Sequence, residues 1–126
     1  MNPNTLLLRQ IHPSWVREGR VTSQAFKPTP KDDRKLSVSN GDMVSPRDSW
    51  MNYIKRNLAS HGVLAVSVLE CAKHDLEVSP DPLLEQQDHT VIDFSTLNSI
   101  SQMERISKIL TAYSFSRGWL FLPVLE

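Results

Sequence analysis

The chain has a single cysteine, Cys71, among 126 residues. No intrachain disulfide can form, and a thiolate metal site would need other ligand types. Only four glycines are present, and none sits in a Walker loop or a dinucleotide-binding fingerprint. No apolar run nears the roughly 20 residues of a membrane span. Leu6-Leu7-Leu8 is far too short for the core of a secretory signal. Together with the lone cysteine, this leads to the expectation of a soluble cytoplasmic protein without a membrane partner. Net charge is also lacking: 14 Lys and Arg balance 14 Asp and Glu. That balance argues against nonspecific nucleic-acid binding, which requires an excess of cations.

What the chain does have is a row of short apolar clusters separated by polar turns. Its length suits one domain with one core. Thr5–Ile11 reads as a strand ended by His12-Pro13. In Val21–Phe26, Val21, Ser23 and Ala25 alternate with Thr22, Gln24 and Phe26, as in a sheet with one solvated side. Pro28 and Pro30 then stop that strand, since proline donates no ladder hydrogen bond. Residues Lys27–Lys35 are expected to form a mobile loop. Lys35–Ser39 reads as the next strand, closed by an Asn40-Gly41 turn.

Ser45-Pro46-x-Asp48 is a helix start: a capping hydroxyl, proline in the first turn, and an acid at the capping-box position. Trp50, Tyr53, Ile54 and Leu58 form its apolar stripe, and Gly62 is the expected terminator. Val63–Leu69 is apolar or small on both alternating sets, which predicts a strand near the centre of a sheet covered on both faces. Short strands are expected at His74–Val78 and Thr90–Phe94. A second helix should start between Asn98 and Ser101 on competing serine caps and carry Ile100, Met103, Ile106, Leu110 and Tyr113 inward. Gly118 should cap it before a last strand, Trp119–Leu122. The expected fold class is α+β: a single compact domain with a mainly antiparallel or mixed sheet packed by two helices.

Chemistry-bearing residues are scattered. Arg9 and Arg20, beside the hydroxyls of Thr22-Ser23 and Ser37-x-Ser39, are candidates to orient a phosphate or carboxylate. His12, His61, His74 and His89 show no metal-ligand spacing, so no metal is expected. No cofactor is implied. Ser23 has no nucleophile elbow and Cys71 no activating neighbours, so neither signals a hydrolase. Glu70 and His89 become an acid–base pair only if their strands meet. Trp15, Trp50 and Trp119 are expected in the core.

Leu8-Arg9-Gln10-Ile11, Thr22-Ser23-Gln24-Ala25-Phe26 and His89-Thr90-Val91-Ile92 loosely resemble the strand order of ADP-ribosyltransferase folds. The resemblance implies Arg9 on the first motif strand and Ser23 on the middle one. The late glutamate of that pattern has no counterpart near His89.

Two functional expectations follow. One is a small macromolecule-binding protein, protein-directed and of a regulatory or immunity type. Ten of the 14 basic side chains lie in residues 1–60, against five of the acidic ones. Lys31 and Arg34 are therefore expected to meet a partner with an acidic surface. The alternative is a ligand-binding domain or enzyme with Arg9, Ser23 and His89 around a cleft.

Overall fold

The computed structural model describes residues 1–29 and 33–123. Five strands make one antiparallel sheet: β1 (Leu6–Ile11), β4 (Lys35–Asn40), β5 (Gly62–Ser67), β6 (Glu77–Pro80) and β7 (His89–Asp93). Their spatial order is β5-β1-β4-β7-β6. A small hairpin of β2 (Val16–Arg17) and β3 (Arg20–Val21) stands apart. Among the described residues three α-helices complete the domain: α1 (Pro46–Lys55), α2 (Val68–Ala72) and α3 (Ile100–Arg117). The α+β class is as expected. Among the described residues, no helix is long and apolar enough to cross a membrane.

Alternation in the strands separates two faces. Leu7, Ile11, Leu36, Val38, Leu64, Val66 and Ile92 point to one of them. There they form the main core with Ala25, Phe26, Cys71, Ile106 and Leu110. On the other face Leu8, Val63 and Ala65 form a smaller cluster under Trp50, Leu120 and Phe121. The helix caps are those the sequence spells. Ser45 accepts from the Asp48 amide, and Ser99 accepts from the Gln102 amide.

Several expectations are corrected. Val21–Phe26 is not a strand. The hairpin closes through Glu18 and Gly19, both at positive φ, as a two-residue turn of that twist demands. Ser23–Phe26 then coils into a 3-10 turn. Ala25 and Phe26 are adjacent and both fully buried; a strand would have sent them to opposite faces. Gly62 does not terminate α1, which ends at Lys55 with Asn57 at positive φ. Gly62 opens β5 instead, where an added Cβ would lie 2.8 Å from the Phe121 carbonyl oxygen. Only glycine lets the C-terminal segment approach that closely.

The β5 strand is buried on both faces as its composition implies, yet it stands at the end of the sheet rather than its centre. Its outer edge is covered by the chain itself: the Val63 amide donates to Phe121 O and the Leu120 amide to Val63 O, both at 2.9 Å. That contact is an isolated bridge, not the strand expected at Trp119–Leu122. Val68 and Leu69 leave the sheet because Ser67 and Glu70 form a reciprocal capping box and start α2.

The opposite edge, β6, is blunted differently. The Asp81 amide donates to His89 O at 2.9 Å, continuing the β6–β7 ladder one residue past Pro80. By alternation Pro80 then faces outward, where its missing N–H removes a docking point for another strand.

In the segment expected to be mobile, Lys27 pairs with Glu104 at 3.2 Å and Pro28 is buried. Asp33 and Arg34 turn into β4 at positive φ. Lys31 lies outside the described residues.

Candidate functional site

β4 reads Lys-Leu-Ser-Val-Ser-Asn. Leu36 and Val38 enter the core, so Ser37 and Ser39 must present their hydroxyls on the other face. β7 pairs with β4 so that Ser39 opposes His89 and Ser37 opposes Val91. His89 thereby stands diagonal to Ser37 on the same face. α1 covers the apolar, β5 end of this face and stops short of the β4–β7 end. The uncovered part is a cleft of about 640 Å³ between α1 and the turn that precedes β7.

The cleft floor is polar and internally bonded. Ser60 Oγ donates to Gln10 Oε1 at 2.8 Å, and Gln10 Nε2 donates to Ser49 Oγ at 2.9 Å. Ser49 and Ser39 hydroxyls are 3.4 Å apart, and Gln86 Nε2 donates to Ser39 Oγ at 3.0 Å. Gln86 also donates to Asp88 Oδ1 at 3.0 Å and accepts from Arg56 Nη1 at 3.3 Å. This chain ties α1 to the 83–88 turn across the sheet. The turn is held by its own reciprocal bonds, Leu83 N–H to Gln86 O at 2.9 Å and Gln86 N–H to Leu83 O at 3.1 Å. Leu84 at its tip is 94 % exposed.

At the far wall stands a second set of bonds. His89 Nε2 lies 3.1 Å from Ser37 Oγ. His89 Nδ1 lies 2.9 Å from the Asp81 carbonyl oxygen and 3.2 Å from Asp81 Oδ2. A carbonyl oxygen only accepts, so Nδ1 carries a proton and Nε2 of the neutral ring is an acceptor. The Ser37 hydroxyl therefore donates to Nε2. Asp81 is confined between Pro80 and Pro82, and the residue before a proline is held to extended backbone. The histidine side chain is 11 % exposed, while Asp81 reaches solvent.

The expected site residues separate. Arg9 and His89 both line the cleft; Ser23 does not and opens the 3-10 turn that follows β3. Arg9 is engaged in architecture. Its Nε donates to Ala25 O at 2.8 Å, its Nη1 to Ser37 O at 2.9 Å, and its guanidinium stacks 5.2 Å from the Trp15 ring. It fastens β1 to β4 where their two-residue ladder stops. Arg34 is exposed, with Nη1 3.3 Å from Leu97 O. Glu70 does not meet His89. It accepts from the Ser67 amide at 2.8 Å and pairs with Arg117 at 3.0 Å.

Ser37 and Asp81 are the members that local sequence reasoning missed as partners of His89. Ser37 was visible only as a polar strand position. Asp81 carried one signal, the proline on each side, which marks a fixed backbone without saying what it faces. Among the described residues no group of three His, Cys, Asp or Glu side chains is placed to hold a metal. Asp93, at the end of β7 on this face, has its carboxyl held below the ordinary 3.8, chiefly by hydrogen bonds from Ser95. Cys71 lies in the opposite, apolar core. Burial, assisted by the Glu70 charge, pushes its thiol up to about 12, so it is not a nucleophile at neutral pH.

No family model, no curated protein and no solved structure matches this chain. The strand-order resemblance to ADP-ribosyltransferases finds no support in the placement of Ser23.

Proposed function

We propose that this protein binds another polypeptide, one with an acidic surface, at the rim of the cleft between α1 and the 83–88 turn. Leu84 carries the reading: a leucine 94 % exposed at the tip of a turn closed by two backbone hydrogen bonds. A leucine tip on a loose loop has little meaning. This one is presented on a fixed frame, so little ordering entropy opposes its burial. Covering it in a partner's pocket contributes about 1.5–3 kcal/mol. Lys55 and Arg56, both exposed, flank the same cleft on α1 and give the rim a cationic side suited to carboxylates. Lys31 and Arg34 extend the basic region in sequence, and Arg34 is open to solvent.

A photo-crosslinking residue in place of Leu84 tests the reading inside cells, with Ile100, 71 % exposed on α3, as the comparison site. The expected result is one discrete polypeptide adduct at position 84 and none of that size at position 100. The adduct should weaken with added salt, since exposed charges are screened over about 8 Å near physiological ionic strength. It should also weaken when Lys55 and Arg56 are reversed to Glu. Equal, diffuse adducts at both sites would remove the proposal; a discrete adduct indifferent to salt and to both reversals would remove its acidic partner.

A further inference from the structure

We infer that Ser37, His89 and Asp81 form an acyl-transfer centre in the wall of the cleft, with Ser37 as the nucleophile. The inference goes beyond polypeptide binding and does not depend on Leu84. Three observations meet here. The Ser37 hydroxyl is exposed and hydrogen-bonded to His89 Nε2 at 3.1 Å, within the reach a general base needs. The proton on Nδ1 is fixed by Asp81, whose carbonyl and carboxylate oxygens lie 2.9 and 3.2 Å away. That leaves Nε2 free to take the hydroxyl proton, and it places a negative charge beside the imidazolium that forms. Both Ser37 and His89 also line a cleft of about 640 Å³, large enough for a small ester. This is the arrangement of nucleophile, base and orienting acid by which serine acyl transfer is recognised, whatever the fold or chain order.

The chemistry balances with water as the second substrate. Ser37 Oγ forms a bond to the carbonyl carbon of a carboxylic ester as its proton passes to His89 Nε2, and the C=O electron pair moves onto oxygen. Arg9, on the opposite face of the sheet, bonds the Ser37 carbonyl at 2.9 Å and so holds the backbone behind the nucleophile. Collapse breaks the bond to the leaving alkoxide, which takes the proton back from Nε2. Water then adds to the acyl-serine with its proton going to His89, and a second collapse returns the proton to Ser37 and releases the carboxylic acid. Ser37 and His89 are catalytic residues in this scheme. Asp81 is a positioning residue, because it acts through the ring. The amides and hydroxyls of Gln10, Gln86 and Ser39 on the floor suit a short ester with polar substituents.

The experiment uses the intact chain, a fluorophosphonate probe and p-nitrophenyl acetate. In the probe reaction the Oγ–P bond forms, the P–F bond breaks and fluoride leaves, the hydroxyl proton going to His89. Peptide mass spectrometry should find the label on Ser37 of the folded protein. Ser37→Ala should abolish it. His89→Gln should slow it by at least about 100-fold, the scale of a lost general base. Asp81→Asn should lower the maximal labelling rate by at least about tenfold while the concentration of probe giving half that rate is unchanged; a merely structural aspartate would not separate the two. p-Nitrophenyl acetate should leave an acetyl group on Ser37 in a rapid first turnover. The labelling map of the unaltered protein decides the matter even where a variant fails to fold. No label on Ser37, or label spread equally over other serines, overturns the inference. So does undiminished Ser37 labelling in a folded His89→Gln protein.

Discussion

One face of the five-stranded sheet meets α3, α2 and the 3-10 turn through Leu7, Leu36, Val38, Val66 and Ile92, all nearly or completely buried. On the other face α1 covers only the β5–β1 end. The β4–β7 end shows Ser37, Ser39 and His89 to a cleft. The same two strands, β4 and β7, therefore contribute to a dry core with one set of side chains and to a hydrogen-bonded wall with the other. The core face gains stability from apolar area removed from water. The cleft face gains little of that. Its polar groups are satisfied by one another, which fixes their directions more than it stabilises the fold. Directional, partly solvated groups are what a site needs, and a closed apolar layer beneath them is what holds them still.

The sharpest way to break this contrast is a charge on each face. Val66→Asp puts an unpaired carboxylate into a fully buried position and should cost about 4 kcal/mol or more, enough to abolish cooperative unfolding. Ser37→Asp, on the exposed side of β4, should remain folded. Equal melting temperatures for the two variants would dissolve the distinction between the faces.

The next effect belongs to Cys71 under the core face. Its thiol is held near 12 against an ordinary 9.0, so the unfolded chain loses this proton first. The contribution is fully present below about pH 9 and is lost progressively between about 9 and 12. Three pH units correspond to about 4 kcal/mol at most. Urea unfolding at pH 8 and at pH 10.5 should show a smaller loss for Cys71→Ala than for the parent chain. A thiol reagent should leave the native protein unmodified at neutral pH; rapid modification would show that the core face admits water.

On the cleft face, Gln10→Ala removes the link between Ser60 and Ser49. About 1 kcal/mol of stability should be lost, as for an ordinary partly buried hydrogen bond. Chemical denaturation measures it, and a loss comparable to that of Val66→Asp would mean the cleft is as structural as the core. The smallest effect is expected at Leu84. Leu84→Ser should shift stability by no more than about 0.5 kcal/mol while removing the proposed anchor.

Legibility followed the range of the interactions. The caps at Ser45 and Ser99 were readable because a hydroxyl and an amide three residues apart decide them. β1, β4 and β7 were readable within a residue or two from apolar alternation. Val21–Phe26 was misread because alternation of small polar and apolar residues fits a strand and a 3-10 turn alike; the burial of both Ala25 and Phe26 chose the turn. Of the cleft, His89 and Arg9 are legible in the sequence as polar candidates, whereas Ser23 lies outside it. The hydroxyl beside His89 is that of Ser37, 52 residues away, and no local pattern encodes that separation. Arg9 was legible as a cation and not as a fastener, because its acceptors are backbone carbonyls of Ala25 and Ser37, which every residue possesses.

The sequence by itself determined that this chain builds a single α+β core, where its two longer helices begin, and that β5 must be buried on both sides. These follow from local propensity and from the cost of leaving apolar side chains in water, which each segment carries with it. Tertiary structure alone decided that β5 stands at the edge under the C-terminal segment, that Arg9 is spent on the frame, and that Ser37, His89 and Asp81 come together. Those outcomes depend on the register of β4 on β7 and of β7 on β6. Register is set by all the strands packing at once, since a slip of one residue would turn every side chain of a strand to the opposite face.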